Sequence, residues 1–194
     1  MRKKKQMSKL EQKNLIKNKY NWWVWDRFLS EENIKNINKI KSVSHKDDPA
    51  TAKKTSKVKF LPFYKVNEYL QGAVERCYFS NMHNFHVDLY KFDPNFNVHH
   101  NTYSSKNKGE YQWHFDGTVV VGHDTKFTVL INVSEEEYEG GDFKLFTGAE
   151  ENIKQLKNPG TMFMFRTKFL HKVEPVTKGT RKTLVFWLYG PEWR

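Results

Sequence analysis

Cysteine is scarce in this sequence, because Cys77 is the single one among 194 residues. One thiol cannot form an intrachain disulfide, and it cannot build a structural zinc site of the Cys-rich kind. A lysine-rich chain without disulfides is typical of reducing compartments. We therefore expect an intracellular, cytoplasmic location.

Long apolar runs are missing as well. No stretch of the sequence approaches the ~20 apolar residues that a membrane-spanning helix needs. The basic segment 1–20 also lacks the apolar region of a secretory signal. The sequence therefore predicts a protein without a membrane anchor.

Negative charge is scarce in the N-terminal third, which gives the chain its net charge of +11. Residues 1–59 contain 17 Lys and Arg against 6 Asp and Glu, whereas residues 60–194 contain 16 of each. We interpret residues 1–19 as a basic arm and residues 20–194 as a single domain, a usual size for one domain. The arm is either a solubilising tail, which we favour, or a contact for nucleic acid or acidic partners.

Two helices are predicted after a short buried strand at 21–25. The first helix begins at Ser30, a good N-cap residue, and carries isoleucines at helical spacing. The polar stretch 42–58 is predicted to be an exposed loop. Pro62 then opens the second helix, whose apolar residues recur at helical spacing as far as Cys77.

Beyond the helices, the apolar period changes from that of a helix to that of a strand. Turn signals such as Asp93-Pro94, Gly140-Gly141 and Lys178-Gly179 separate the segments. The predicted strands lie at 85–90, 98–103, 110–116, 126–133, 142–146, 161–165, 169–174 and 181–189. The pattern predicts a mainly β protein with flanking helices (α+β), built on a jelly-roll or double-stranded β-helix core with N-terminal helices.

His114-Phe115-Asp116 is the most informative motif of the chain. Residues i and i+2 of a strand point to the same face, so His114 and Asp116 can chelate one metal ion. His171, after the apolar strand at 161–165, is the third candidate ligand. Two imidazoles and one carboxylate form the facial triad of non-haem Fe(II) oxygenases, which leaves coordination positions open for other ligands.

Other histidines are weaker candidates. His99 and His100 are adjacent, so on a strand they face opposite sides and cannot both reach one metal ion. His123-Asp124 would form a ligand pair only within a turn. Because a lone histidine such as His171 is more often structural than metal-binding, the triad stays a hypothesis at this point.

Arg181 begins the last predicted strand, ten residues after His171. At strand spacing Arg181, Thr183, Val185 and Trp187 share one face. An arginine that points into an apolar barrel is costly unless an anion meets it. A dicarboxylate such as 2-oxoglutarate would satisfy it through a bidentate pair, whereas the alternative is an exposed arginine at a strand end.

The stretch from Tyr103 to Trp187 resembles the Fe(II)/2-oxoglutarate dioxygenases of the prolyl 4-hydroxylase type. The segment from His171 to Arg181 is especially similar to the second-histidine motif of that family, and residues 24–32 resemble its first strand and helix. The residues that carry the resemblance are Tyr103, Gly109, Tyr111, His114, Asp116, Asn132, Gly140, Gly141, Pro159, Gly160, His171, Val173, Pro175, Arg181 and Trp187.

The resemblance implies roles for individual residues. His114, Asp116 and His171 would bind Fe(II), and Arg181 would bind the distal carboxylate of 2-oxoglutarate. Tyr103 would donate a hydrogen bond in the cosubstrate pocket, where Leu130 replaces a tyrosine that often faces the cosubstrate in this family. The other residues that the resemblance places at the pocket are Thr128, Thr183, Tyr111, Asn132 and Trp187.

The activity that the resemblance implies is hydroxylation of prolyl residues in a peptide or protein, like that of a procollagen-proline 4-dioxygenase. O2 would be consumed and 2-oxoglutarate decarboxylated to succinate and CO2, with a requirement for ascorbate left open. The alternatives are another amino acid, a small molecule or nucleic acid as the substrate, or a non-catalytic jelly-roll binding module. The sequence leaves the oligomeric state open.

Overall fold

A computed structural model describes residues 20–42, 53–117 and 123–192 of the chain. The two helices of the described part are α1 (Glu31–Lys39) and α2 (Phe63–Ser80). Its strands are β1 (Trp22–Trp25), β2 (Lys57–Pro62), β3 (Asn97–Ser104), β4 (Tyr111–His114), β5 (Asp124–Asn132), β6 (Glu139–Gly140), β7 (Phe143–Phe146), β8 (Glu150–Asn152), β9 (Met162–Arg166), β10 (Leu170–Val173), β11 (Val176–Lys178) and β12 (Thr180–Gly190). The predicted basic arm, residues 1–19, lies outside the described residues.

The strands form two main antiparallel sheets. The larger sheet has the order β1-β9-β5-β12-β3-β2, and the smaller has the order β4-β10-β7-β8. A separate pair joins β11 to β6. The prediction of a mainly β, jelly-roll protein with flanking helices is therefore confirmed.

The two faces of the larger sheet cover two different cores, because successive side chains of a strand point to opposite sides. In β5, Phe127, Val129 and Ile131 belong to the core that includes the residues of α2. Leu130 belongs to a second core, which includes Phe143 of the smaller sheet. Strand β5 therefore contributes one set of side chains to the helix-side core and another set to the space between the two sheets.

Helix α1 forms where the sequence predicts it. The Ser30 hydroxyl accepts a hydrogen bond from the backbone N–H of Asn33 (3.2 Å), which caps the first turn. Ile34 and Ile37 are buried against the rest of the core. Helix α2 begins directly after Pro62, as predicted. Neither helix of the described ranges is both long and apolar enough to span a membrane.

The prediction of a strand at 85–90 is wrong. Helix α2 continues into a π-turn at Asn81–Phe85, and His86 adopts a left-handed conformation that ends it. The Asn81 side chain donates to the carbonyl of Val87 (2.8 Å) and accepts from its N–H (3.0 Å). A side chain thus takes the backbone bonds that a neighbouring strand would otherwise supply.

The loop predicted at 42–58 ends earlier than expected. The structure places β2 at Lys57–Pro62, where it pairs with β3 at the edge of the larger sheet. Residues 43–52 of the predicted loop lie outside the described residues. Proline is tolerated at the end of an edge strand, where its missing N–H breaks no internal ladder. The short strands β6, β8 and β11 were also not predicted.

His100 gives the fold a pH dependence. Its Nε2 lies 2.7 Å from Asn38 Oδ1, while its Nδ1 is buried without a hydrogen-bond partner. The pKa of His100 is lowered to about 4, mainly by burial and to a smaller extent by the nearby positive charge of Lys59. Between that value and 6.5 the unfolded chain binds a proton that the folded chain does not. Stability therefore falls as the pH drops through this window, by about 3 kcal/mol for this residue.

We expect His100→Gln to reduce this loss, because the glutamine amide can still donate to Asn38 but does not titrate. Urea unfolding of both proteins between pH 7 and pH 4 measures the difference. Equal slopes of stability against pH would contradict the role given to His100.

Candidate metal centre and cosubstrate cavity

The three predicted metal ligands meet at one place in the structure. His114 and His171 lie directly opposite each other on the neighbouring strands β4 and β10. The candidate ligand atoms of both residues and of Asp116 all lie within 4.8 Å of one another. Asp116 follows the end of β4 rather than lying within it, so its approach depends on the turn after the strand.

Hydrogen bonds fix which imidazole nitrogen faces the centre. His114 Nδ1 lies 2.7 Å from the carbonyl oxygen of Gln112, and His171 Nδ1 lies 3.1 Å from that of Phe169. A carbonyl only accepts, so each Nδ1 donates and each Nε2 is the nitrogen that faces the centre. The Nε2 atoms lie 3.6 and 3.5 Å from oxygens of Asp116. This arrangement is typical of metal-binding histidines.

Two further side chains hold the Asp116 carboxylate. Its Oδ2 accepts hydrogen bonds from Thr128 Oγ1 (2.9 Å) and Trp187 Nε1 (3.1 Å). Burial alone would raise the pKa of Asp116, but hydrogen bonds and charge interactions with His114 and His171 hold it well below its ordinary value. The centre therefore combines one carboxylate with two imidazole side chains, a ligand set that fits Fe(II) with positions left open.

A cavity of about 230 Å³ extends from these ligands between the two sheets. Strands β3 and β12 form one wall and contribute alternate residues to it. These residues are His99, Asn101, Tyr103, Arg181, Thr183, Val185 and Trp187. The sequence-based assignment of one shared face to the four β12 residues is therefore confirmed.

Arg181 lies in this cavity although only 2% of its surface is exposed. Its guanidinium carbon lies 5.3 Å from the centre of the Tyr103 ring, and the described residues give it no carboxylate partner. Burial raises the pKa of Tyr103 to about 12, so its hydroxyl stays protonated and able to donate. An anion that enters the cavity meets both groups.

A glycine makes room for this arginine. Gly141 has a φ of +63°, and a Cβ atom there would lie 3.0 Å from Arg181 Cδ. Both the left-handed backbone and the close approach favour a residue without a side chain. The Gly140-Gly141 turn signal in the sequence thus has a second function next to the buried arginine.

Comparison with known proteins bears on the identity of this site. The model of the 2OG-Fe(II) oxygenase superfamily matches residues 97–189, which contain all three candidate ligands and Arg181. This part of the chain is therefore similar to the 2OG-Fe(II) oxygenase superfamily. The matched region begins at β3 and ends within β12, so it contains both strands of the cavity wall described above.

Curated proteins with similar sequences include PKHD-type hydroxylases. The protein from Crocosphaera subtropica is 33% identical over 88 residues, which cover 43% of this chain and 39% of the relative. The protein from Synechococcus sp. (strain CC9605) is 33% identical over 94 residues, covering 47% and 42% respectively. The chain thus spans about two fifths of the length of these relatives.

Solved structures with this fold include prolyl hydroxylases. A prolyl-4-hydroxylase from Pseudomonas putida has a TM-score of 0.66 at 15% identity, with 90% of this chain and 95% of that chain covered. The viral collagen prolyl hydroxylase of Paramecium Bursaria Chlorella virus-1 has a TM-score of 0.65 at 19% identity, covering 89% and 97%. At these identities the similarity shows a shared jelly-roll fold.

The remaining predicted pocket residues have different positions in the structure. The Tyr111 ring stacks on His114 with 3.4 Å between ring centres, and Thr183 is buried in the cavity wall. Thr128 contacts Asp116 rather than the space where a cosubstrate would lie. Leu130 adds an apolar surface to the cavity.

Asn132 does not reach the cavity. Its amide donates to the carbonyls of Leu156 (2.9 Å) and Lys157 (2.8 Å), and its Oδ1 accepts from the N–H of Ser134 (2.9 Å). This network holds the turn after β8 against the end of β5. The structure therefore gives Asn132 a structural position instead of the predicted pocket position.

Two cavity residues on β3 were missed. His99 packs edge-on against Trp187 (4.7 Å between ring centres), and Asn101 lies beside it in the wall. His99 and His100 face opposite sides, as predicted, with His100 buried away from the cavity. The alternation that was used for β12 also applies to β3, and it would have revealed both residues.

Replacing Trp187 tests whether its hydrogen bond to the Asp116 carboxylate contributes to metal binding. Trp187→Phe removes the Nε1–H bond to Asp116 and keeps most of the ring. We expect Fe(II) affinity to fall about 10- to 100-fold, the usual loss for such an outer partner. Trp22→Phe is the matched control, because Trp22 donates a similar bond to Glu151 (3.0 Å) outside the cavity. Equal Fe(II) affinity of the two variants, measured by anaerobic titration, would contradict this role.

Proposed function

We propose that the chain is an Fe(II)/2-oxoglutarate-dependent dioxygenase that hydroxylates prolyl residues in a peptide or protein. The observation that supports it best is the pairing of two features in one cavity. One end carries the His114, Asp116 and His171 centre, and the wall carries a buried Arg181 without a carboxylate partner among the described residues. A metal centre and an anion site together suit a chelating dicarboxylate.

The proposed function assigns a role to each residue of the metal centre. His114, Asp116 and His171 hold the iron, while Thr128 and Trp187 keep the Asp116 carboxylate in position. Bound iron supplies activation of O2, coupled to the decarboxylation of 2-oxoglutarate to succinate and CO2 and to hydroxylation of the substrate.

The protein side of the cosubstrate pocket orients the dicarboxylate. Arg181 pairs with its distal carboxylate, and the protonated Tyr103 hydroxyl donates to the same group. Thr183 and Leu130 complete the wall beside it, and the apolar surface limits access of water.

The relatives support the choice of substrate. The curated similar proteins are PKHD-type hydroxylases, and a prolyl hydroxylase from Trichoplax adhaerens with this fold has been solved in complex with a hypoxia inducible factor peptide. In this chain, Trp113 and Phe115 flank His114 with 36% and 60% of their surfaces exposed. Aromatic faces of this kind bind the pyrrolidine ring of an extended peptide.

The domain organisation belongs to the same proposal. We propose a basic arm at residues 1–19 and a single catalytic domain at residues 20–194. We place the protein in the cytoplasm, an assignment supported by its lysine-rich composition and its single cysteine, which forms no intrachain disulfide.

The test of the proposed function is a peptide library incubated with the protein, Fe(II), 2-oxoglutarate, ascorbate and O2. We expect some proline-containing peptides to gain the mass of one oxygen atom, with succinate formed in equal amount. His171→Ala is the control and should show neither product. Modified peptides that keep the gain after every proline is replaced by alanine would contradict prolyl specificity, while absence of 2-oxoglutarate binding would contradict the whole proposal.

A further inference from the structure

A groove of about 200 Å³ lies where strands β3 and β12 stop pairing. The ladder between these strands ends at His99 and Val185, whereas β12 continues beside β5 as far as Gly190. Of the nine residues that line the groove, six are Phe, Trp or Tyr, and the other three are Asn97, Val98 and His99. None of these described residues is Asp, Glu, Lys or Arg, so aromatic rings make up most of its surface.

The groove borders the metal cavity. Phe60, His99 and Trp187 line both spaces. The His99 ring packs edge-on against Phe60 (4.6 Å between ring centres) and against Trp187 (4.7 Å). Trp187 in turn donates its Nε1–H to Asp116 (3.1 Å). An extended peptide advances about 3.3 Å per residue, so a side chain one or two residues from a residue at the metal centre can reach the groove.

The far wall of the groove is a stacked pair of rings, Phe96 and Tyr189. Their centres are 4.9 Å apart with an angle of 21° between the rings, and His123 packs edge-on against Tyr189 (5.7 Å). Burial raises the pKa of Tyr189, and the negative charge of Asp116 adds to this effect, so the ring lies within electrostatic range of the metal ligand. Phe96 stays 37% exposed. The wall is therefore held in place while one of its rings remains open to a binding partner.

The composition of the groove selects the kind of side chain that it can hold. A charged side chain that entered would lose hydration without meeting an opposite charge on the lining residues. An aromatic side chain would gain from apolar burial and would pack edge-on or offset against rings that are already fixed. Peptide-binding proteins commonly obtain their specificity from such recesses for individual side chains.

We propose that this groove binds an aromatic side chain of the peptide substrate, one or two residues from the residue at the metal centre, and that Phe96 and Tyr189 determine this preference. The inference rests on the proposed function, because it concerns the peptide that the same site would hydroxylate. Continuity with the metal cavity through Phe60, His99 and Trp187 is the observation that connects the groove to that peptide.

The test uses short peptides with a central proline that differ at a single residue. Phe, Ala or Asp is placed in turn at each of the two positions on either side of the proline. The peptides are titrated calorimetrically into protein loaded with Mn(II) and 2-oxoglutarate, so that binding is measured without turnover. For at least one position, we expect the Phe peptide to bind about tenfold more tightly than the Ala peptide. The Asp peptide should bind no better than the Ala peptide.

Two variants of Phe96 locate the preference. Phe96→Ala should reduce it to about twofold or less, while the Kd for Mn(II) stays within about twofold, because the metal ligands are intact. Phe79→Ala is the matched control, since Phe79 is also exposed (63%) and stacks on His83 (4.3 Å) but does not line the groove. Phe96→Lys places a charge in the groove and should bind the Asp peptide more tightly than wild type does, a gain that misfolding cannot produce.

The possible results are distinct. Equal affinity of wild type for the Phe and Ala peptides at every position, or a preference that survives in both Phe96 variants, overturns the inference. Either result leaves the proposed function standing, because oxygen gain and succinate formation in the peptide library are measured separately. A library without either product overturns the proposed function itself. A preference for Phe that is lost in Phe96→Ala and kept in Phe79→Ala supports the inference.

Discussion

Replacing Asp116 with asparagine is expected to weaken Fe(II) binding by more than about a hundredfold and to abolish succinate formation. The change is nearly isosteric but removes the single anionic ligand of the centre. Thr128 and Trp187 both donate to Oδ2, so the amide oxygen would keep that position and the NH2 group would replace Oδ1, which lies 3.6 Å from His114 Nε2. The loss should therefore exceed the 10- to 100-fold that is usual for an outer partner.

The measurement is anaerobic titration of both proteins with Fe(II), followed by a succinate assay in air. Asp88→Asn is the matched control, because Asp88 is exposed and does not line the cavity. The assignment of Asp116 as a metal ligand would be contradicted if Asp116→Asn and Asp88→Asn had equal Fe(II) affinity and equal turnover.

Replacing Arg181 with methionine is expected to weaken 2-oxoglutarate binding by about 2–5 kcal/mol, which is roughly 30-fold to several thousandfold. The guanidinium is buried, so its pairing with a carboxylate is poorly screened by water. Arg181→Lys should have an intermediate effect, because lysine keeps the charge but loses the bidentate geometry. Fe(II) affinity should change little in either variant.

Arg181→Met should also make the ligand-free protein more stable. Arg181 is a buried charge without a carboxylate partner among the described residues, and such a charge is costly. Lys182→Met is the matched control, since Lys182 points outward to Glu135 (2.8 Å) and should affect neither property. Calorimetric 2-oxoglutarate titrations and thermal melts test both effects, and 2-oxoglutarate affinity equal to that of wild type in Arg181→Met would contradict the anion site.

The parts of the site that could be predicted depend on local periodicity. Alternation along β12 was enough to place Arg181, Thr183 and Trp187 on one face, and the structure puts all three in the cavity wall. The chemistry of two imidazoles and one carboxylate was enough to select His114, Asp116 and His171, which the structure brings together.

The parts that could not be predicted depend on register and on side-chain partners. His114 and His171 lie opposite each other through the pairing of β4 with β10, which no single segment reveals. Asn132 lies on a strand of the larger sheet, yet its amide turns to the backbone of Leu156 and Lys157. The segment at 85–90 has the alternation of a strand, but the Asn81 side chain satisfies Val87 in place of a sheet.

The most direct test of the metal and cosubstrate site is an anaerobic titration of the purified protein with Fe(II) and 2-oxoglutarate, followed by visible absorption. The account predicts a charge-transfer band that needs both additions, is absent in His114→Ala, and requires more 2-oxoglutarate in Arg181→Met. A folded, metal-free protein that gives no band at saturating concentrations would contradict the assignment of the centre and of the anion site together.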